Sequence, residues 1–362
     1  TDAEGEAMTY RWIFSDPSMP VLTTLNPGAV RFNKPGEHRV SLQVTDARGA
    51  MDLTPPSVKI IVQNDDPVDW AGVLGNLQGS LYTVASQSEF NAAALVARSG
   101  DVIRVRNGVY ADWKLEIPSL GTPTKPIVYM AETPGGVTFT GRTRLYITGS
   151  HNLVGGFVFR GCGAHAVQIS EGDHNRLTDT QFIACRAPGS EERIIEITQA
   201  ATRNRIDHNR IIDSGSVAVG VYIGKYSAAA WPVPTHTRID HNIFQDSQAL
   251  SIQIGPYTGP DKLTVPDTFT EIENNEFNDA REQIINSKTG RETIRFNRFI
   301  RGRWEGISLR LGNNKTIEGN YFEDMRIPIH VYGTGHKIYN NIMIRSTEAA
   351  ILMPAWGKYF HT

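Results

Sequence analysis

Long apolar runs are missing from this chain of 362 residues. No stretch reaches the roughly 18 consecutive apolar residues a bilayer span needs, which excludes a helical membrane protein. An excess of charge is missing too. The chain has 36 Lys and Arg against 38 Asp and Glu, a net charge of -2, and this argues against a dedicated nucleic-acid binder. Cysteine is nearly absent. Cys162 and Cys185 are too few for a disulfide-built mini-domain or a four-cysteine zinc site. No basic-then-apolar leader opens at Thr1, so a signal peptide is expected to be already removed or never to have been part of this chain. What is present is the composition of a globular protein, 40% hydrophobic and 20% charged, with 33 Gly and 19 Pro that favour turns and β-structure. The length allows one or two domains.

Residues 1–63 read as short strands between turns. Thr9-Tyr10-Arg11-Trp12-Ile13-Phe14, Arg39–Thr45 and Val58–Val62 alternate with period two, and Asp16-Pro17, Pro27-Gly28, Pro35-Gly36 and Arg48-Gly49 punctuate them. An all-β sandwich is expected over 1–66, followed by a linker over 67–75. The run from Pro35-Gly36 through Val40, Leu42, Val44 and Asp46 resembles the PKD-type immunoglobulin-like module. The glycine-aspartate turn of that module after its W-x-F strand is missing, and the chain begins inside the module, without its first strand. The resemblance implies a spacer or carbohydrate-adjacent role, against a structural module with no ligand.

From residue 151 onward a repeat carries the reading. Aliphatic anchors stand at Val154, Leu177, Ile206, Ile239, Ile272, Ile294, Ile317 and Ile338, spaced 23, 29, 33, 33, 22, 23 and 21 residues apart. Three residues beyond most anchors stands an asparagine, namely Asn209, Asn242, Asn275, Asn297, Asn320 and Asn341. Five beyond stands Phe159, Phe182, Ile211, Phe244, Phe277, Phe299, Phe322 or Met343. A period near 22 with insertions marks a solenoid. The anchors lie in short β-like stretches, and the Leu-x-x-Leu-x-Leu signature is absent. The expected fold is therefore all-β: a right-handed parallel β-helix over 76–362, preceded by the small immunoglobulin-like sandwich. Coils stacked about 4.8 Å apart would line up like residues, aliphatics and Phe inside and Asn at a turn, where its amide bonds to the next coil. That makes the asparagines structural.

Cys162 and Cys185 are 23 residues apart, one coil, which suits either a disulfide or a buried stack of thiols. A capping helix is expected over 88–97, with Ser88 as its N-cap, covering the first coil. No C-terminal cap follows Ala350-Ile351-Leu352, so truncation or processing at that end is expected.

Counting from the anchors places chemistry on neighbouring coils. Lys288 and Arg310 both lie 16 residues past their anchors and 22 residues apart. Ile285 and Ile307, Ser287 and Leu309 fall on the alternate, inward positions. Arg281, Arg303 and Arg326 form a second column at nine past the anchor. Residues 281–310 hold eight Lys or Arg and three Glu, which reads as a cationic patch for a polyanion. The alternative is a set of solvated surface residues.

Several segments resemble polysaccharide lyase family 6, which includes alginate lyases and chondroitinase B. These are Ile284-Ile285-Asn286-Ser287-Lys288-Thr289, Leu309-Arg310-Leu311-Gly312-Asn313-Asn314 one coil later, the opening Ser99-Gly100-Asp101-Val102 with Gly108-Val109-Tyr110, and Ala131–Val137. The similarity spans about residues 76–358. The resemblance implies β-elimination on a uronate-containing polysaccharide, with Lys288 taking the C5 proton and Arg310 assisting the departing O4. A lysine base must be neutral near working pH, and a neighbouring cation lowers its proton affinity. An arginine is not a literal acid, so Arg310 is expected to stabilise the developing oxyanion.

Three departures from the family matter. Arg281 and Gln283 stand where many members place calcium-binding glutamates, and the coil before reads Ser247–Gln253. An Arg and a Gln cannot build a hard oxygen cage, so no cofactor and no calcium are expected. Arg281, with Gln283 nearby, is expected to neutralise the substrate carboxylate instead. Leu311 replaces the histidine usual after the arginine, and His330 an arginine, whereas His336 fits. Arg303, His330, Tyr332, His336 and Tyr257 complete the expected substrate-binding set, and Trp304 is a further ring for stacking on sugars. Alginate is the first expected substrate, ahead of dermatan or chondroitin sulfate. A hydrolase would need two facing carboxylates, and Glu282 and Glu305 should point different ways. A uronate epimerase and a non-catalytic glycan-binding β-helix stay open as alternatives. The expected chain is a monomer, secreted or periplasmic, with no nucleic-acid or membrane partner.

Overall fold

The computed structural model describes residues 7–27, 30, 32, 36–62, 67–163, 165–186, 193–221, 233–255 and 265–353. The chain divides into two compact units, 1–67 and 68–362. In the first, strands Thr9–Phe14, Gly36–Thr45 and Ser57–Val62 form one antiparallel sheet in that order. Thr9 stands opposite Thr45 and Phe14 opposite Val40. The period-two pattern of Thr9–Phe14 appears as strict alternation of exposed and half-buried side chains. Among the described residues this unit holds a single sheet, so the second layer of the expected sandwich is not found among them.

The second unit is a parallel β-helix. Three parallel sheets of 11, 10 and 10 strands run its length. We call them the first wall (from Leu81–Val84 to Lys337–Tyr339), the second wall (from Gly108–Ala111 to Ile342–Ile344) and the third wall (from Lys114–Ile117 to Ile351–Leu352). From the second strand of the first wall onward, the chain visits the walls in that order in each coil, and each strand pairs in register with its counterparts one coil away. The anchors form one column of the first wall: Val154 pairs with Leu177, Leu177 with Ile206, and so on to Ile317 with Ile338. Val154 through Ile317 are fully buried. The phenylalanines stack on the second wall, with centroids 4.8 Å apart for Phe244–Phe277 and Phe277–Phe299 and 4.6 Å for Phe299–Phe322.

Coils turn sharply, and the backbone bears the cost. Left-handed residues recur at three positions per coil, for example Asn274 (φ 54°), Asp279 (φ 57°) and Arg291 (φ 61°). Such residues are usually Asn, Asp or Gly. The asparagine ladder holds one of these corners. Asn275 Nδ2 donates to Ile239 O at 2.8 Å and to Asn297 Oδ1 at 3.0 Å, while Asn275 Oδ1 accepts from the backbone and side-chain nitrogens of Asn242, both at 3.0 Å. A second ladder, Asn152–Asn175–Asn204, occupies the corner between the third and first walls. It follows the same logic of bonding buried turn backbone along the axis.

Cys162 and Cys185 are joined as a disulfide with Cα atoms 4.6 Å apart, which resolves the choice left open above. The capping helix spans Gln87–Val96, and its N-cap is Ser86 rather than Ser88. Ser86 Oγ accepts from Glu89 N at 3.3 Å, and the Glu89 carboxylate accepts from Ala85 N at 2.7 Å. This Ser-x-x-Glu capping box outcompetes a lone serine two residues later. The stretch 67–75, expected to be a linker, carries a helix, Trp70–Gly75, capped by Asp69. Trp70 packs with Val102, Val128 and Met130 on the first wall, and its ring nitrogen donates to Asp179 at 3.0 Å. A buried tryptophan with a satisfied N–H is what anchors this segment to the solenoid.

Candidate active site

Lys288 follows the third-wall strand Ile285–Ser287, and Arg310 follows the next strand of that wall, Glu305–Leu309. Ile285 pairs with Ile307 and Ser287 with Leu309, all four fully buried. Alternation therefore turns Lys288 and Arg310 outward, and both are half-buried. Lys288 N donates to Ile254 O (2.9 Å), Arg310 N to Ser287 O (2.8 Å) and Tyr332 N to Leu309 O (3.0 Å). Gly255, Lys288, Arg310 and Tyr332 thus occupy one column across four coils. Gly255 is needed there. Its φ is +89°, and a Cβ on it would stand 3.0 Å from the Lys288 Cβ. The Arg310 guanidinium lies 5.9 Å from the Tyr332 ring centroid.

Lys288 is the chemically unusual group. Its pKa is lowered to about 8, first by burial, then by the Arg310 cation and then by that of Arg193. The sequence points to the Arg310 contribution and gives no register signal for Arg193. Arg193 begins the strand Arg193–Thr198, three coils before Lys288, and it is buried. Its side chain crosses the next coil over Gly220, where a Cβ would stand 2.4 Å from the Arg193 Cδ, and reaches Gln253 Oε1 at 3.2 Å. The signal that could have revealed it is a glycine inside the buried strand Val217–Val221.

The other expected residues fall in different places. Gln283 is buried. Its amide donates to Glu305 Oε2 at 2.6 Å and accepts from Asn286 Nδ2 at 2.5 Å. His330 is buried in register with Ser308, and its Nδ1 meets Glu305 Oε1 at 2.5 Å. His336 accepts from Lys315 N at 3.2 Å through Nδ1 and donates to Tyr332 O at 2.8 Å through Nε2, which fixes a neutral tautomer. Its pKa is lowered by burial. Arg281 and Arg303 are exposed and line a depression with Asp246, Asp279, Arg301 and Asp324, a group that does not include Lys288 or Arg310. Trp304 is exposed, with the Arg326 guanidinium over its ring 4.0 Å from the centroid. Tyr257 lies outside the described residues.

The eight cations of residues 281–310 do not form one patch. Arg291 pairs with Asp267, Arg295 with Glu273, and Arg301 with Asp279. A period of 22 residues circles three walls, so neighbours in sequence point in all directions. Glu282 is exposed, while Glu305 is held by Gln283 and His330. These carboxylates are not a facing pair. Nor do the positions aligned with the family's calcium glutamates fit that ion. Gln283 Oε1 accepts from Asn286 and its amide nitrogen is bonded to Glu305, and Arg281 brings a positive charge. Among the described residues, the group of His and Asp able to share an ion is His151, Asp173 and His174, at a corner several coils away.

Comparison with known proteins bears on the family and the fold. The family model described as chondroitinase B matches residues 84–351. The alginate lyase AlyGC of polysaccharide lyase family 6 is 25% identical with a TM-score of 0.65, covering 77% of this chain and 41% of its own. A mannuronic-acid-specific family 6 lyase from human gut microbiota is 23% identical with a TM-score of 0.63, covering 73% of this chain and 64% of its own. The family 6 lyase Pedsa3628 from Pseudopedobacter saltans is 23% identical with a TM-score of 0.60, covering 72% of this chain and 62% of its own. The chain therefore spans only 41% of the first of these relatives and under two thirds of the others. No curated protein sequence matches it. With three quarters of its length inside the family model, the chain belongs to the chondroitinase B family, polysaccharide lyase family 6.

Proposed function

We propose that this protein cleaves a uronate-containing polysaccharide, alginate first, by β-elimination without a metal. One feature carries the reading: an outward lysine with Arg310 next to it in the same column of the third wall, its pKa lowered to about 8 by burial and by the Arg310 and Arg193 cations. Neutral Lys288 takes the proton from C5, the C5 electrons form the C4–C5 double bond, and the C4–O4 bond breaks. Arg310 stabilises the departing O4, which recovers a proton from water. The C5 carbanion is delocalised onto the adjacent carboxylate, so a cation facing that carboxylate lowers the barrier. Arg193, buried and near Lys288, suits that task better than Arg281, which lines the depression with Arg303. No calcium is invoked, because the donors aligned with the family's site do not make an oxygen cage. A polymeric substrate would be met outside the cell or in the periplasm. Among the described residues no helix is long and apolar enough to cross a membrane.

The test is incubation with alginate, dermatan sulfate and chondroitin sulfate while following absorbance of the conjugated uronate. Absorbing products from alginate support the proposal. Absorbing products from a sulfated polymer alone would move the substrate to glycosaminoglycans. New reducing ends without absorbance, or no cleavage of any polymer, would refute it.

A further inference from the structure

The corner column between the third and first walls changes character as it reaches the catalytic coils. Two residues before each anchor it reads Asn152, Asn175, Asn204, Thr237, Thr270, Glu292, Lys315 and His336. The amide ladder gives way to an ion pair with no exposure at all: Glu292 and Lys315 are both 0% exposed, and Lys315 Nζ lies 3.5 Å from Glu292 Oε2. Burying such a pair is costly compared with amides of similar size. The earlier coils show that this column accepts amides and hydroxyls.

What the pair touches accounts for its place. Lys315 Nζ donates to Ser287 Oγ at 2.5 Å, Ser287 O at 3.3 Å and Leu311 O at 2.7 Å. Ser287 precedes Lys288 and Leu311 follows Arg310, so one ammonium joins both catalytic coils from inside. Glu292 Oε1 accepts from the Thr289 hydroxyl, next to Lys288, and from Thr268 Oγ1 at 3.2 Å. On the far side Lys315 N donates to His336, which holds Tyr332. Burial lowers the Lys315 pKa, and Glu292 opposes that shift. The charged and titratable groups facing Lys315 include Glu292 and His336, and those facing Lys288 include Arg310 and Arg193.

We propose that Glu292 and Lys315 are positioning residues, a buried ion pair that holds the Lys288 and Arg310 backbones at the separation their chemistry needs. The inference rests on Lys288 being the base. Its test is the double variant Glu292→Asn/Lys315→Asn, which copies the column's own earlier residues. The variant is expected to fold with an unfolding midpoint at or above that of the parent. Its kcat should fall about tenfold or more with KM changed less than about twofold. Lys288 should also recover proton affinity as Arg310 shifts away. The pH midpoint of its acylation by acetic anhydride, read by peptide mass spectrometry, is expected to rise by about half a unit or more. A merely structural brace would move neither kcat nor that midpoint, and a folded variant with both unchanged would overturn the inference. Glu292→Thr/Lys315→Thr, copying Thr237 and Thr270, makes the same test if the first variant does not fold. Loss of fold in both would overturn the inference too, by making the pair a requirement of the core. The acylation midpoint needs no turnover. If the parent cleaves no polyuronate, the functional proposal fails while this measurement still decides the role of the pair.

Discussion

A lysine that serves as a base has to be kept partly uncharged, and three features do this to Lys288: burial, Arg310 and Arg193. The pH dependence follows from the sign. Only the neutral amine accepts a proton, so kcat/KM should rise about tenfold per pH unit below a midpoint near 8 and level off above it. Arg310→Ala removes one of the two cations and should move that midpoint to higher pH as well as lowering kcat. The same depression costs stability. The folded chain binds fewer protons than the unfolded one between about 8 and 10.5, so the Lys288 contribution improves as pH rises through that window and is unfavourable below it. Lys288→Met should therefore raise the thermal unfolding midpoint at pH 7 while abolishing turnover, and the gain should vanish towards pH 10.5. The Lys288–Arg310 pair was legible in the sequence because both residues keep the same offset from an anchor. Arg193 was not. It lies in an irregular repeat, and it reaches the site by length and by the gap at Gly220 rather than by register. Glu292 and Lys315 were equally hidden, because a column two residues before the anchor carries information only once its asparagines are known to form a ladder.

Solenoid strands of two to six residues have little stability alone, and here they are fixed by what repeats at their ends. Asn275 makes bonds to the coils on both sides and sits near the middle of its ladder. Asn275→Ala should cost about 2 kcal/mol or more, because it takes the side-chain partner from Ile239 O and Asn242 N, buried backbone groups of the preceding coil, and urea unfolding would measure it. Breaking the Cys162–Cys185 bond opens a loop with a sequence separation of 23 and should cost about 3 kcal/mol. Its place several coils before Lys288 predicts unchanged kcat at a temperature where the reduced protein stays folded. At this scale periodicity revealed nearly every coil, since an aliphatic anchor, an asparagine and a phenylalanine recur together. It gave no sign of the left-handed residues at the corners, where His, Arg and Phe stand beside the expected Asn and Asp. Those residues tolerate the conformation because stacking and ladder bonds on both sides determine it. The helix Trp70–Gly75 was also missed, since six residues are too few for a period to show and its stability comes from Trp70 docking on the first wall.

Across the molecule, one wall of a solenoid provides a straight row of equivalent positions, and the proposed catalytic column uses four of them in succession: Gly255, Lys288, Arg310 and Tyr332. The architecture holds the two cations at coil spacing, so substrate binding has little reorganisation left to impose. An excess of chelator should leave the rate unchanged, and a rate lost to chelation and restored by calcium would show that ligands other than Arg281 and Gln283 build a site. The most direct test of the whole account compares the parent with Lys288→Ala on alginate, reading the unsaturated product by absorbance and the fold by thermal unfolding. The account predicts rapid formation of C4–C5 unsaturated ends by the parent and a loss of about a hundredfold or more in a variant that unfolds no earlier. A variant that cleaves at the parent's rate, or a parent whose products lack the double bond, would contradict it.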